Sequence, residues 1–311
     1  MTMPAPVAAR TAPDLVRAIS VFVRGFSIEA TRPKASEIEF LAQTVPAGTA
    51  VYLSAVPTRP PHDLIDVATM VRAAGLEPVP HLAARGFASA RALDDVLTAL
   101  TAKAQVRRVL AIAGDRDPPL GELHSALDLI DTGLLPSHGI EEIGISGYPE
   151  GHPRISTEAL DRALAAKIEA AAQIGLTVHI VTQFAFSAEP ILGWLRRLRD
   201  LGIDQSVRIG LAGPTSLTTL LRYAHRCGVK ASTQGLARQA GLAKHLFGNT
   251  TPDAIVGPLA HACCTGELGD VGLHFFPFGG IAATARWVAA IAAGRITLDS
   301  GGGFRLEAPN E

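Results

Sequence analysis

Cysteine is scarce in this 311-residue chain: Cys227, Cys263 and Cys264 are the three present, and none stands in a CxxC or Cys/His ligand spacing. They fall in apolar, helix-like stretches and are read as packing residues of a reducing compartment. Long apolar runs are missing as well. No stretch reaches the ~18 uninterrupted apolar residues of a membrane span, and the opening MTMPAPVAARTAPDLVRA lacks the continuous apolar centre of a leader peptide. A cytoplasmic protein without a membrane-embedded part is the expectation. Basic charge is not in excess: Lys and Arg number 28 against 29 Asp and Glu, and no basic stripe interleaved with aromatics occurs, so a nucleic-acid partner has no electrostatic support. Without HxH or HExxH spacing, no metal site is expected. There is also no GxGxxG after the first strand and no GxxxxGK[ST]. The Gly301-Gly302-Gly303 run is not followed by a helix-like segment. A dinucleotide, if one binds, must be held by loops of another kind.

The hydrophobic fraction is 48% with only 18% charged residues, which suits a sheet buried on both faces and wrapped by helices. Short β-type runs alternate with longer amphipathic stretches, the pattern of parallel strands joined by crossover helices. Eight strands are expected, at 18–29, 50–56, 77–82, 107–114, 141–147, 177–184, 206–211 and 271–276. Helices are expected at 61–74, 90–103, 157–174, 189–201 and 217–226, several ending in a glycine suited to a left-handed stop: Gly75, Gly175, Gly202, Gly228. Eight strand-then-helix units without a linker-like break predict an α/β fold, a single (β/α)8 TIM-type barrel, with an open sheet as the alternative. The barrel is assigned to 18–297, preceded by an extension (1–17) and followed by a tail (298–311). An irregular insert, 229–270, carries two candidate helices at 237–247 and 252–264. The apolar stretch 282–293 with Trp287 fits either the face of a homo-oligomer or a core contact.

A barrel of this kind carries its chemistry at the C-terminal strand ends. There the sequence places Ser27 and Glu29, Ser54, His81, Gly114 and Asp115, Tyr148 and His152, Thr182 and Gln183, and His274. Glu29 ends an apolar strand, where burial would raise its pKa toward that of a general acid; a rim carboxylate paired with Arg32 or Lys34 is equally compatible with the pattern. Asp115, in AGDRDPP, reads also as an ordinary turn residue. His81 and His152 each read also as hydrogen-bonded structural histidines, and Lys167 as a solvated helix residue.

Six segments share an order and a position at strand ends: SIEATRPK, PHLA, VLAIAGD, GYPEGHP, VTQFAF and GLHFF. Together they resemble the motifs of the methylenetetrahydrofolate reductases over residues 27–276, most specifically ISGYPEGHP followed by VTQF about thirty residues later. The resemblance implies a βα-barrel that holds FAD without a Rossmann motif and interconverts 5,10-methylenetetrahydrofolate and 5-methyltetrahydrofolate, with NADH or NADPH as co-substrate in a ping-pong cycle. It implies that Glu29 protonates the folate amine, that Asp115 lies beside flavin and pterin, and that Gln183 contacts whichever ligand stacks on the flavin. It also places Ser54, His81, Gly114, Asp115, Tyr148, His152 and Lys167 at the FAD site; a pyrophosphate needs such cationic and N–H donors.

Departures from the pattern are specific. The opening IEATRPK lacks the family's aromatics and double proline. Ala113 stands where an arginine is usual, and HFFPFGG puts Gly280 in place of an arginine for the folate tail. Arg286 or Arg238 is the candidate substitute. Two other functions fit a barrel with these strand ends: a flavin-free lyase or pterin methyltransferase, and a non-catalytic folate-binding subunit.

Overall fold

A computed structural model describes residues 12–226, 249–299 and 303–307. Eight parallel strands close into a barrel: β1 (Ser27–Ala30), β2 (Ala50–Leu53), β3 (Glu77–Ala83), β4 (Arg108–Ile112), β5 (Glu142–Gly147), β6 (Thr177–Thr182) and β7 (Ser206–Ala212). After the short strands β8 (Thr215–Ser216) and β9 (Asn249–Thr250), the eighth, β10 (Val271–Phe276), pairs with both β7 and β1. The expected (β/α)8 barrel is therefore what forms. Helices such as Asp63–Ala73, Ala90–Ala104, Thr157–Gln173 and Ala188–Asp200 return the chain between strands.

The first strand differs from expectation. Residues 18–24 are not strand but the second half of helix Ala12–Arg24, and β1 starts only at Ser27. Ile19 and Val23, four residues apart, are buried together with Ser20, which is helical spacing. The β-branched run around them hides that period. The helix packs outside β10 against helices Asp253–Cys263 and Ile281–Ala292.

Within the insert, β9 pairs antiparallel with β8, and the expected second helix forms as Asp253–Cys263. The expected helix at 237–247, like Cys227, lies outside the described residues. Trp287 is buried among Phe275, Phe304 and Asp253, to whose carboxylate its indole N–H donates at 3.1 Å. Of the two readings of 282–293, the core contact accounts for this side chain. Among the described residues no helix is long and apolar enough to cross a membrane.

One large apolar cluster lies between sheet and helices, and a small one lies inside the barrel: Tyr52, Val79, Leu110 and Val181. Inside, the Tyr52 hydroxyl is 2.7 Å from Nε2 of His179, and Nδ1 of His179 is 2.7 Å from Glu142 at the N-terminal end. The Tyr52 ring meets His274 edge-on at 4.7 Å and His81 at 6.2 Å. Burial, with the Glu142 charge, pushes the Tyr52 phenol far up, so it stays protonated. Room for the imidazole comes from Gly144, opposite His179 across β5 and β6: a Cβ there would stand 2.7 Å from Nε2 of His179 and 2.9 Å from Leu110. Because hydrogen bonding pins His179, it cannot swing aside. Gly144→Ala is expected to cost about 1–3 kcal/mol by overpacking, read as a lowered urea midpoint with an unchanged m-value.

Candidate active site

Glu29 is the centre of the barrel mouth. Its strand partner across β2 is Tyr52, and Ser54, two residues beyond, is brought alongside when its backbone N–H donates to Ala30 at 3.1 Å. The Ser54 hydroxyl donates to Oε1 of Glu29 at 2.6 Å. Having spent its proton there, Ser54 accepts from the Thr31 hydroxyl at 2.7 Å. The other carboxylate oxygen, Oε2, faces Nε2 of His274 at 3.6 Å and Nε2 of His81 at 3.8 Å. Both nitrogens are buried without a hydrogen-bond partner, so the mouth presents two unsatisfied imidazole groups beside one acid. His274 is oriented by Ser27, whose Oγ lies 2.9 Å from its Nδ1.

These neighbours reverse the expectation of a raised Glu29 pKa. Burial does push the carboxyl up, and is the largest single influence, but His81, His274 and the Ser54 hydroxyl together hold it below the usual carboxylate range. His81 is itself lowered, by burial first and by His274, against the pull of Glu29. The neighbours of Glu29 therefore favour its ionised form. The rim pairing with Arg32 or Lys34 does not form: among the described residues Glu29 has only the histidines within ion-pair reach.

Gln183 follows β6 directly and is tied to β5 through its N–H to Gly147; its own Oε1 accepts from Phe184 N–H at 3.1 Å. Gly114 adopts φ +85° and its Cα hydrogens face Ala83, where a Cβ would come within 2.8 Å. That turn presents Asp115 at the mouth. Tyr148 and His152 pack edge-to-face at 5.4 Å in the GYPEGHP loop. The loop is moored to the one after β6 by Glu150, which accepts from Phe186 N–H. Burial raises the Tyr148 phenol, and Asp115 adds to the shift.

Two cavities open here. The larger, about 750 Å³, is lined by Ser54, His81, Gly114, Asp115, Tyr148, His152 and Gln183, so most of the expected cofactor set comes together. Lys167 does not join it. It lies on helix Thr157–Gln173, half-buried, with burial lowering its pKa to about 8, and it lines neither cavity. Five arginines line the larger cavity, Arg32, Arg59, Arg85, Arg116 and Arg154, of which the sequence pattern marks only Arg32, and that as a rim partner of Glu29. They come from separate loops, and no local spacing marks them as a set. The smaller cavity, about 320 Å³, holds Glu29 and Gln183 against Phe184, Tyr223, Phe276 and Phe278. Tyr223 and Phe278 stack 4.0 Å apart at 10°, a flat apolar wall suited to a heteroaromatic ring. Gln183 borders both spaces.

Gly280 lines the smaller cavity, but Arg286 does not: it points outward over the ring of Phe40 at 4.9 Å. Arg238 lies outside the described residues.

Fold and site thus define a TIM-type barrel with an acid-centred mouth between an arginine-lined cavity and an aromatic one. The sequence model of methylenetetrahydrofolate reductase matches residues 27–242, and the chain belongs to that family. A probable methylenetetrahydrofolate reductase (NADPH) of Caenorhabditis elegans is 33% identical over 111 residues, which are 34% of this chain and 16% of that protein. The match thus spans about a sixth of the relative's length. Among solved structures, an uncharacterized Clostridium thermocellum protein that binds two copies of 5-methyl-5,6,7,8-tetrahydrofolic acid superposes with a TM-score of 0.53 at 13% identity, covering 89% of this chain and 99% of the other. At that identity it shows the barrel fold. Dihydropteroate synthase of Thermus thermophilus gives a TM-score of 0.46 at 15% identity, covering 88% of this chain and 95% of the other.

A depressed carboxyl favours the folded state at pH above its ordinary value, and that contribution is lost as pH falls through the lowered folded-state pKa. Wild-type protein is therefore expected to lose more stability than Glu29→Gln between neutral and acid pH, measured as paired urea midpoints. Parallel losses would show that Glu29 is not held as an ion.

Proposed function

We propose that the protein interconverts 5,10-methylenetetrahydrofolate and 5-methyltetrahydrofolate, with FAD in the larger cavity and NADH or NADPH as the ping-pong electron partner. The observation that carries this reading is the meeting of the two cavities at Gln183 beside Glu29, in a chain of this family. The residues suit such a cofactor. Ser54, His81, Gly114, Asp115, Tyr148 and His152 give the larger cavity directed polar groups beside apolar ones, and its arginines offer counter-charge to phosphate. FAD, when bound, would supply the hydride chemistry that amino-acid side chains lack.

The chain's own residues do the rest. Tyr223, Phe276 and Phe278 bed the pterin ring, and Gln183 orients whichever ring lies between the cavities. Glu29 protonates the folate amine, so that the five-membered ring opens to the iminium that accepts hydride. For this the carboxylate must first take up a proton. A pterin covering the mouth strengthens burial, the influence that already acts upward on its pKa.

Glu29→Gln is expected to keep reductant oxidation while folate turnover falls by about 10²-fold or more, the usual loss of a positioned general acid. Stopped-flow measurement of the two half-reactions separates these effects, and folate turnover at the parental rate would remove Glu29 from the role. The whole reading is tested by anaerobic titration of the purified protein, following flavin bleaching by NADH, NADPH and 5-methyltetrahydrofolate in turn. A colourless protein that gains no thermal stability from added FAD would favour a flavin-free barrel enzyme.

A further inference from the structure

The arginines of the larger cavity are not equivalent. Arg59 is exposed and lies 3.8 Å from Asp63, while Arg85 and Arg116 are half-buried and, among the described residues, have no carboxylate within ion-pair reach. Each is instead aimed by the backbone. Arg85 sits in the turn Ala84–Gly86 immediately after β3; its N–H donates to Ala113, its carbonyl accepts from Leu120, and its Nε donates to the carbonyl of His124 at 3.0 Å. That contact uses the inner edge of the guanidinium and leaves both terminal NH₂ groups available. Arg116, in the loop after β4, donates among the described residues only to the Pro57 carbonyl, at 3.4 Å. Arg85 and Arg116, from adjacent strand ends, thus line one cavity, which Asp63, Asp66 and Asp115 also line. Both guanidinium groups reach solvent with donors left open, and the parallel donors of a guanidinium match phosphate oxygens in pairs. The one cation expected on sequence grounds to meet a pyrophosphate, Lys167, is outside this space.

We propose that Arg85 and Arg116 grip the diphosphate of a dinucleotide, so that the anionic middle of the ligand lies over the loops after β3 and β4 and not against Lys167. This rests on the reading that a dinucleotide enters the larger cavity, and it assigns which residues of this chain recognise it. Ala113, where the family pattern has an arginine, lies within this same pair of loops, and its carbonyl holds the Arg85 backbone. The cation is displaced to neighbouring positions and not lost.

The test is isothermal titration calorimetry of the full chain with ADP, FAD and NADH at two salt concentrations. In the double variant R85Q/R116Q, ADP and whichever dinucleotide the wild type binds should weaken about 10-fold or more, as expected for losing charged hydrogen bonds, with a shallower salt dependence. K167Q should bind as the wild type does. Arg85→Lys, which keeps the charge but not the fork, should fall between. Unchanged binding of 5-methyltetrahydrofolate and an unchanged Tm would establish that the double variant is folded; R116Q alone, whose side chain holds only one long backbone contact, gives the same answer if the double variant is not. Weakening in K167Q with full affinity in the arginine variants would overturn the assignment while leaving the dinucleotide reading intact. So would a loss confined to polyglutamylated folate, which would make the arginines a tail site. Wild-type protein that binds neither ADP, FAD nor NADH would overturn both.

Discussion

A carboxylate withdrawn from water at the mouth of an apolar barrel is tolerable only if donors reach it, and the arrangement around Glu29 follows from that requirement. Thr31 donates to Ser54 and Ser54 to Glu29, while His274, steadied by Ser27, and His81 face the second oxygen. These residues come from β1, β2, β3 and β10 or the turns that follow. The pairings Ser27 with His274 and Glu29 with Tyr52 set which of them face one another. A slip of one residue in β1 would turn Glu29 outward and replace it with an apolar neighbour. Barrel closure, then, is what assembles the donors around this carboxylate.

The cavities on either side divide the recognition problem by chemistry. One has arginines and little aromatic surface beyond Tyr148; the other has stacked rings and no arginine. Glu29 and Ser54 lie at the seam, and Gln183 belongs to both spaces. A side chain that borders both cavities is within reach of whatever fills either.

Much of this could be read from the sequence because it is written in periods and strand ends. The eight strands follow from alternating apolar runs and glycine stops, and Glu29, Asp115, Gln183, Ser54, His81, Tyr148 and His152 stand out because they end strands. Other features have no local signature. The helical period of Ile19 and Val23 was masked by β-branched neighbours. The ionised state of Glu29 depends on His81 and His274, which are remote in sequence. Arg59, Arg85 and Arg116 sit on three different loops and become a set only when β2, β3 and β4 lie side by side. Lys167 illustrates the converse: a matching position in a motif order does not decide which way a helix faces. Tyr52 and His179 were passed over because inner-layer polar residues look like any other interruption of a strand.

That inner layer has a direction. Glu142 stands beside Nδ1 of His179, and Nε2 of the same ring meets the Tyr52 hydroxyl. That hydroxyl thus lies toward the barrel floor, and the Tyr52 ring meets His274 edge-on. Between Glu142 below and Glu29 above lie, in order, the rings of His179, Tyr52 and His274. Glu29 thus opens only toward the mouth side, where the cavity lies, and has a closed, hydrogen-bonded aromatic layer at its back.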